Sequence, residues 1–133
     1  ETNILTVDPN DSETLYLGTD DDGVYKSTDG GESWKKLNVS SLSKSFGVGD
    51  IIVDPQNSNN IYIGTVDYFR LSESRGVLGD FGVYKSTDGG ATWEEFNVGL
   101  NHLGVFSLEL SEENRILYAG TRAGGVYWIS LDN

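Results

Sequence analysis

The sequence predicts an all-β fold built from short antiparallel sheets that repeat about three times. Three observations carry this. "GVYKSTDGGESW", from Gly23 to Trp34, returns as "GVYKSTDGGATW" from Gly82 to Trp93, with ten of twelve letters identical. Around it the chain has three anchors of one kind: Tyr16-Leu17-Gly18-Thr19, Tyr62-Ile63-Gly64-Thr65 and Tyr118-Ala119-Gly120-Thr121. The composition agrees: 17 Gly against 2 Pro in 133 residues, with frequent Val, Ile, Tyr and Thr, suits short strands joined by tight turns. No segment carries an apolar stripe at helical spacing over three turns, so almost no helix is expected.

The elements follow in order within each copy. The first strand is "ILTVD", "DIIVD" or "VFSLEL", and in two copies it stops at Asp8-Pro9 and Asp54-Pro55, where proline has no N–H for the ladder. The second is "TLYLGT", "NIYIGT" or "ILYAGT", and the third is "GVYKS" twice and then "GGVYWIS". The fourth is "SWKKL" or "TWEEF". These runs are β-branched or aromatic and bounded by Gly, Asp and Asn, as strands between turns are. Four antiparallel strands in a repeat of roughly 45 residues make one blade of a β-propeller. The divisions expected are 1–48 for the first blade and its linker, 49–103 for the second with an insertion at 66–81, and 104–133 for a third that lacks its last strand. Propellers close with about four or more blades, so this is an incomplete ring. A fragment of a longer, processed or secreted protein is the expectation, and association of copies into a ring is the alternative.

Within the repeated phrase each residue type has a local task. Ser27, Asp29, Ser86 and Asp88 accept hydrogen bonds from turn amides. Gly31 and Gly90 permit positive φ, and Trp34 and Trp93 cover the hairpin. The pattern Ser-x-Asp-x-Gly-x-x-Trp resembles the Asp-box, or BNR, repeat, and the surrounding strands extend the resemblance over the whole chain. Asp-box propellers include sialidases, glycoside hydrolase family 74 xyloglucanases, sortilin-type receptors and photosystem II assembly factors. The resemblance implies that the boxes are structural and lie away from the ligand face. It does not imply one activity, because the family both hydrolyses and binds.

Alternating strand direction sorts the loops into two ends. The connections between second and third strands, with the linkers between copies, share the end opposite the boxes. Two of these loops are short, Asp20-Asp21-Asp22 and Arg122-Ala123-Gly124, but the middle one, "VDYFRLSESRGVLGDF", runs from Val66 to Phe81. A long loop without repeat periodicity is a functional candidate. Tyr68, Phe69, Arg70 and Arg75 suit a sugar ring or a peptide, and Asp20, Asp22, Arg122 and His102 share that end. Asp50, where the third copy has Ser107, is a weak candidate general acid or base.

Several classes are excluded or disfavoured. Without cysteine there are no disulfides or thiolate metal sites, and no apolar run spans a bilayer. A net charge of −12 repels nucleic acid and anionic membranes. The Asp20–Asp22 run lacks EF-hand spacing, so no metal and no cofactor are expected. Glycoside hydrolysis needs two opposed carboxylates, and nothing singles out a partner for Asp50. The reading reached from sequence is a binding or assembly module presenting its loop end to a glycan or protein, outside the cell or in its envelope. The alternative is a segment of a glycoside hydrolase of the xyloglucanase or sialidase sort. For the chain alone the sequence leans away from enzymatic activity.

Overall fold

A computed structural model describes residues 1–39, 46–66, 82–97, 104–122 and 124–132. Among them are eleven strands and no helix, arranged as three antiparallel sheets of the β-propeller type. The first sheet has the order β1 (Thr2–Asp8), β2 (Asp11–Thr19), β3 (Val24–Ser27) and β4 (Lys35–Lys36). The second repeats it with β5 (Gly47–Val53), β6 (Ile61–Val66), β7 (Val83–Ser86) and β8 (Glu94–Glu95). The third has β9 (Val105–Ser111), β10 (Ile116–Thr121) and β11 (Gly125–Ser130).

The fourth strands are shorter than the sequence suggests. Trp34 and Trp93 lie outside them, because each indole N–H turns back onto a glycine carbonyl of its own turn, Gly31 or Gly90. Leu37 and Phe96 each give one last backbone bond, to Val24 and Val83, and leave the ladder. A tryptophan in a β-prone run reads as strand, but here its ring closes the hairpin instead.

The registers confirm that the copies are equivalent position by position. Ile4, Asp50 and Ser107 stand opposite Gly18, Gly64 and Gly120. The inner strands β1, β5 and β9 lie side by side, and two apolar clusters fill the spaces between sheets. Tyr16 and Val24 of the first sheet meet Val48, Ile51, Val53, Ile61, Ile63, Tyr84 and Trp93 of the second. Tyr62 and Val83 of the second meet Val105, Leu108, Leu117 and Ala119 of the third. Period-2 alternation thus sends Ile61 and Ile63 of β6 to one cluster and Tyr62 to the other. The middle strand is buried throughout because it has a neighbour on each face.

Glycine sets how near the sheets come. A methyl group on Gly18 would lie 2.8 Å from Val48, and one on Gly64 2.6 Å from Val105. At Gly49 it would lie 2.2 Å from the Val105 carbonyl oxygen and 2.8 Å from Phe106 Cα, which are backbone atoms that cannot rotate aside.

Charged side chains then tie the ends of the inner strands to the next sheet. Asp8 accepts from Ser58 Oγ (2.8 Å). Asp54, fully buried, accepts both prongs of Arg115, at 3.0 and 2.6 Å, across 61 residues of chain. Desolvation pushes the Asp54 carboxyl up, but the Arg115 guanidinium and the Gln56 backbone N–H outweigh it and hold the group below the usual carboxylate range.

Two substitutions test this packing by chemical denaturation. Gly49→Ala forces β5 away from β9 and is expected to cost about 1–3 kcal/mol, as overpacking does. Arg115→Ala leaves Asp54 buried without its counter-charge and is expected to cost about 3 kcal/mol or more.

Candidate functional site

The two ends of the sheets are built differently. At one end lie the repeated turns. Ser27 Oγ donates to Asp29 (2.8 Å) and accepts from Gly31 N–H (2.9 Å), while Asp29 accepts from Ser33 N–H (2.8 Å) and from the Ser33 hydroxyl. The second turn repeats this: Ser86 Oγ to Asp88 (2.8 Å), Gly90 N–H to Ser86 (2.8 Å) and Thr92 N–H to Asp88 (2.9 Å). Positive φ at Gly30, Gly31, Gly89 and Gly90 makes these closures possible. The hydroxyl bonds from Ser33 and Thr92, then the backbone bonds from the same residues, hold Asp29 and Asp88 down to about 2. Every oxygen of these carboxylates is thus occupied within its own turn.

The two tryptophans differ in one respect. Trp93 is 7% exposed because it belongs to the cluster between the first and second sheets, with Leu37 packed against that cluster. Trp34 belongs to neither cluster of the described residues and is 37% exposed.

At the other end each loop between second and third strands is closed by the threonine of the Gly-Thr anchor. Thr19 Oγ1 donates to Gly23 O (3.0 Å) and accepts from Asp22 N–H (2.8 Å). Thr65 does the same with Gly82, at 3.0 Å both ways, and Thr121 with Gly125 O (2.9 Å) and Gly124 N–H (3.1 Å). Asn97 Oδ1 accepts from Val83 N–H (2.7 Å) at the root of the long insertion. These clamps were not singled out in the sequence, although the thrice-repeated Gly-Thr was their signal.

Tyr68, Phe69, Arg70, Arg75 and His102 lie outside the described residues. Of the other loop-end candidates, Asp22 accepts from Lys36 Nζ and Tyr25 OH, and these two bonds, Lys36 first, lower its pKa. Asp20 N–H donates to Glu1 O (3.2 Å), and Arg122 N–H to Gly104 O (3.2 Å), so the first and third loops are anchored by backbone bonds. Among the described residues no group of three or more His, Asp or Glu side chains converges as a metal-ligand set.

Asp50 lies against the neighbouring sheet. One oxygen accepts from its adjacent Ile51 N–H (2.8 Å), and the other from Leu108 N–H of β9 (2.8 Å). Burial raises its pKa, against the lowering effect of the two amide bonds.

No model of a known protein family matches the chain. Individual proteins do. The chain is 33% identical over 110 residues to xyloglucanase Xgh74A of Acetivibrio thermocellus, a match covering 68% of this chain and 12% of that protein. It is 30% identical over 92 residues to the oligoxyloglucan-reducing end-specific xyloglucanase of Emericella nidulans, covering 68% of this chain and 10% of that one. Among solved structures, the GH74 enzyme of Niastella koreensis superposes with a TM-score of 0.73 at 29% identity, over 96% of this chain and 19% of the enzyme. The GH74 xyloglucanase of Xanthomonas campestris matches at a TM-score of 0.65 and 21% identity, over 95% and 20%, which shows the fold. The chain therefore has homologues among GH74 xyloglucanases and the propeller fold of their structures, and it spans about an eighth or less of the length of the curated relatives.

The turns give two predictions. Asp29 and Asp88 titrate near 2 when folded and near 4 when unfolded, so their stabilisation is present above pH about 4 and is lost as pH falls through about 2. The urea midpoint is expected to drop across that window, and to drop less in the Asp29→Asn/Asp88→Asn double variant. Trp93→Ala is expected to cost about 3–5 kcal/mol, and Trp34→Ala less than half as much, by the same denaturation.

Proposed function

We propose that this chain is a propeller segment of a glycoside hydrolase that acts on xyloglucan. The observation that carries the reading is the 33% identity over 110 residues to a xyloglucanase, supported by a second relative of the same named activity and by a superposition on a GH74 enzyme. This favours hydrolysis over the binding or assembly role that the sequence alone suggested.

Within that enzyme the segment has a scaffold end and a substrate end. The turn end offers no unoccupied carboxylate, since Asp29 and Asp88 are bonded on both oxygens. The loop end carries the long insertion at 66–81. We assign Tyr68, Phe69, Arg70 and Arg75 there to holding sugar rings, by aromatic faces and bidentate guanidinium bonds to hydroxyls. Asp50 is assigned to joining sheets: a general acid must turn an oxygen to the glycosidic bond, and both of its oxygens hold backbone amides. The polysaccharide is too large to cross a membrane, so the enzyme meets it outside the cell.

The test uses the full-length protein containing this segment, with reducing ends released from xyloglucan as the readout. Turnover is expected. Deleting residues 67–80 is expected to raise KM more than it lowers kcat, and Asp50→Asn to lower the melting temperature while sparing kcat. Binding to xyloglucan without any hydrolysis of it or of other β-glucans returns the protein to a binding module. Loss of kcat in Asp50→Asn at an unchanged melting temperature makes Asp50 the acid or base.

A further inference from the structure

Among the described residues, the second sheet carries an anchor that the first lacks, at the point where the long insertion rejoins the sheet. Gly23 and Gly82 are counterparts that precede β3 and β7, and each is clamped by its threonine. What holds the glycine from the other side differs. In the first sheet Gly23 N–H donates to Phe46 O (3.1 Å), and a Cβ on Gly23 would meet the Phe46 ring at 3.1 Å. In the second sheet the Asn97 amide takes that place. Its Oδ1 would lie 2.2 Å from a Cβ on Gly82, and it accepts from the next N–H along the chain, that of Val83 (2.7 Å).

The neighbouring sequence does not force this difference. Leu37-Asn38-Val39 after β4 matches Phe96-Asn97-Val98 after β8. Leu37 N–H and Phe96 N–H make the same bond, to Val24 O and Val83 O, at 2.8 Å each. Yet Asn38 is exposed, whereas Asn97 is half-buried and turned onto β7.

Packing alone does not explain Asn97 either. Its Nδ2 is buried and has no hydrogen-bond partner among the described residues. An unpaired buried amide nitrogen carries a cost that an apolar side chain of the same size avoids. What an apolar side chain cannot supply is the oxygen that Val83 N–H uses. The demand for it follows from loop length. The Thr19 clamp spans four residues and the Thr65 clamp seventeen. Closing the longer loop costs more chain entropy, so its exit gains from a second hold.

We propose that Asn97 is a positioning residue for sugar binding, which fixes the junction between the insertion and β7 through Val83 N–H. It touches no substrate itself and acts through the insertion. It therefore rests on the reading of the loop end as the end that holds xyloglucan.

Kinetics and hydrogen exchange on the full-length protein containing this segment test it. Asn97→Leu fills nearly the same volume, removes the unpaired Nδ2 and removes the acceptor. It is expected to raise KM for xyloglucan about tenfold, the equivalent of one lost hydrogen bond, with kcat changed less than about twofold. Backbone exchange at Val83 is expected to quicken about tenfold in the same variant. Asn97→Asp keeps an oxygen for Val83 N–H and is expected to hold KM within about threefold of wild type. Circular dichroism checks that both variants fold. A purely structural role would lower the melting temperature and leave KM alone. An active wild type whose KM is unchanged in Asn97→Leu overturns the proposal, and so does a rise in KM that is as large in Asn97→Asp. A wild type that neither binds nor hydrolyses xyloglucan overturns the underlying reading, and the proposal with it.

Discussion

The structure depends on one contact, a glycine of one sheet against a valine of the next sheet's inner strand. Gly18 meets Val48 and Gly64 meets Val105 at distances where no side chain fits. Once the backbones come that near, the residues around the glycine have no water left to them. Tyr16 and Tyr62 are 1% exposed, and Val24 and Val83 are fully buried. The contact also puts polar groups of adjacent sheets within reach of each other: Thr6 Oγ1 donates to Ile51 O (3.0 Å), Lys26 Nζ to Gly89 O (2.9 Å), and Leu108 N–H to Asp50. A propeller sheet cannot hide two apolar faces by itself, so its stability is largely a property of its neighbours.

That dependence separates the two ends of the molecule. The turn end is closed by bonds within eight residues, and its geometry varies little between copies. The loop end is closed by a single threonine, whose hydroxyl bridges the two strand ends whatever lies between them. Thr19 bridges to a glycine four residues away, and Thr65 to one seventeen residues away, with the same 3.0 Å bond. A clamp indifferent to loop length allows the insertion at 66–81 without disturbing β6 or β7. Variation in loop length can therefore accumulate at this end, while the other stays fixed.

Much of the fold was legible because repetition is a signal that propensity cannot supply. Three copies of Tyr-x-Gly-Thr set the register, and the equivalence of Asp50 with Ser107 follows from it. The fourth strands were overextended because Trp34 and Trp93 read as β-formers, whereas their indole bonds to Gly31 and Gly90 are local turn chemistry. The links between sheets were not legible. Asp50 bonds a residue 58 positions away and Asp54 one 61 away, and no pattern in a single sequence joins such positions. The insertion candidates Tyr68, Phe69, Arg70 and Arg75, like His102, lie outside the described residues, so the loop's role rests on its composition and its clamp.

Asp50 also shows why a raised pKa is a poor guide to catalysis without geometry. Burial raises it, which is the behaviour of a general acid, whereas Asp29 and Asp88 are lowered by hydroxyl and amide donors. Yet a proton on Asp50 would compete with the bonds the carboxylate already makes. It would sit on an oxygen that already receives Ile51 or Leu108 N–H, and would weaken the tie between β5 and β9. Protonation relieves the cost of a buried charge only by giving up the strength of two charge-assisted amide bonds. A catalytic carboxyl avoids that conflict by keeping one oxygen free for substrate. The insertion and its neighbours at the loop end, where threonine hydroxyls clamp the strand ends through backbone bonds, are the better place in this chain to look for contacts with a sugar.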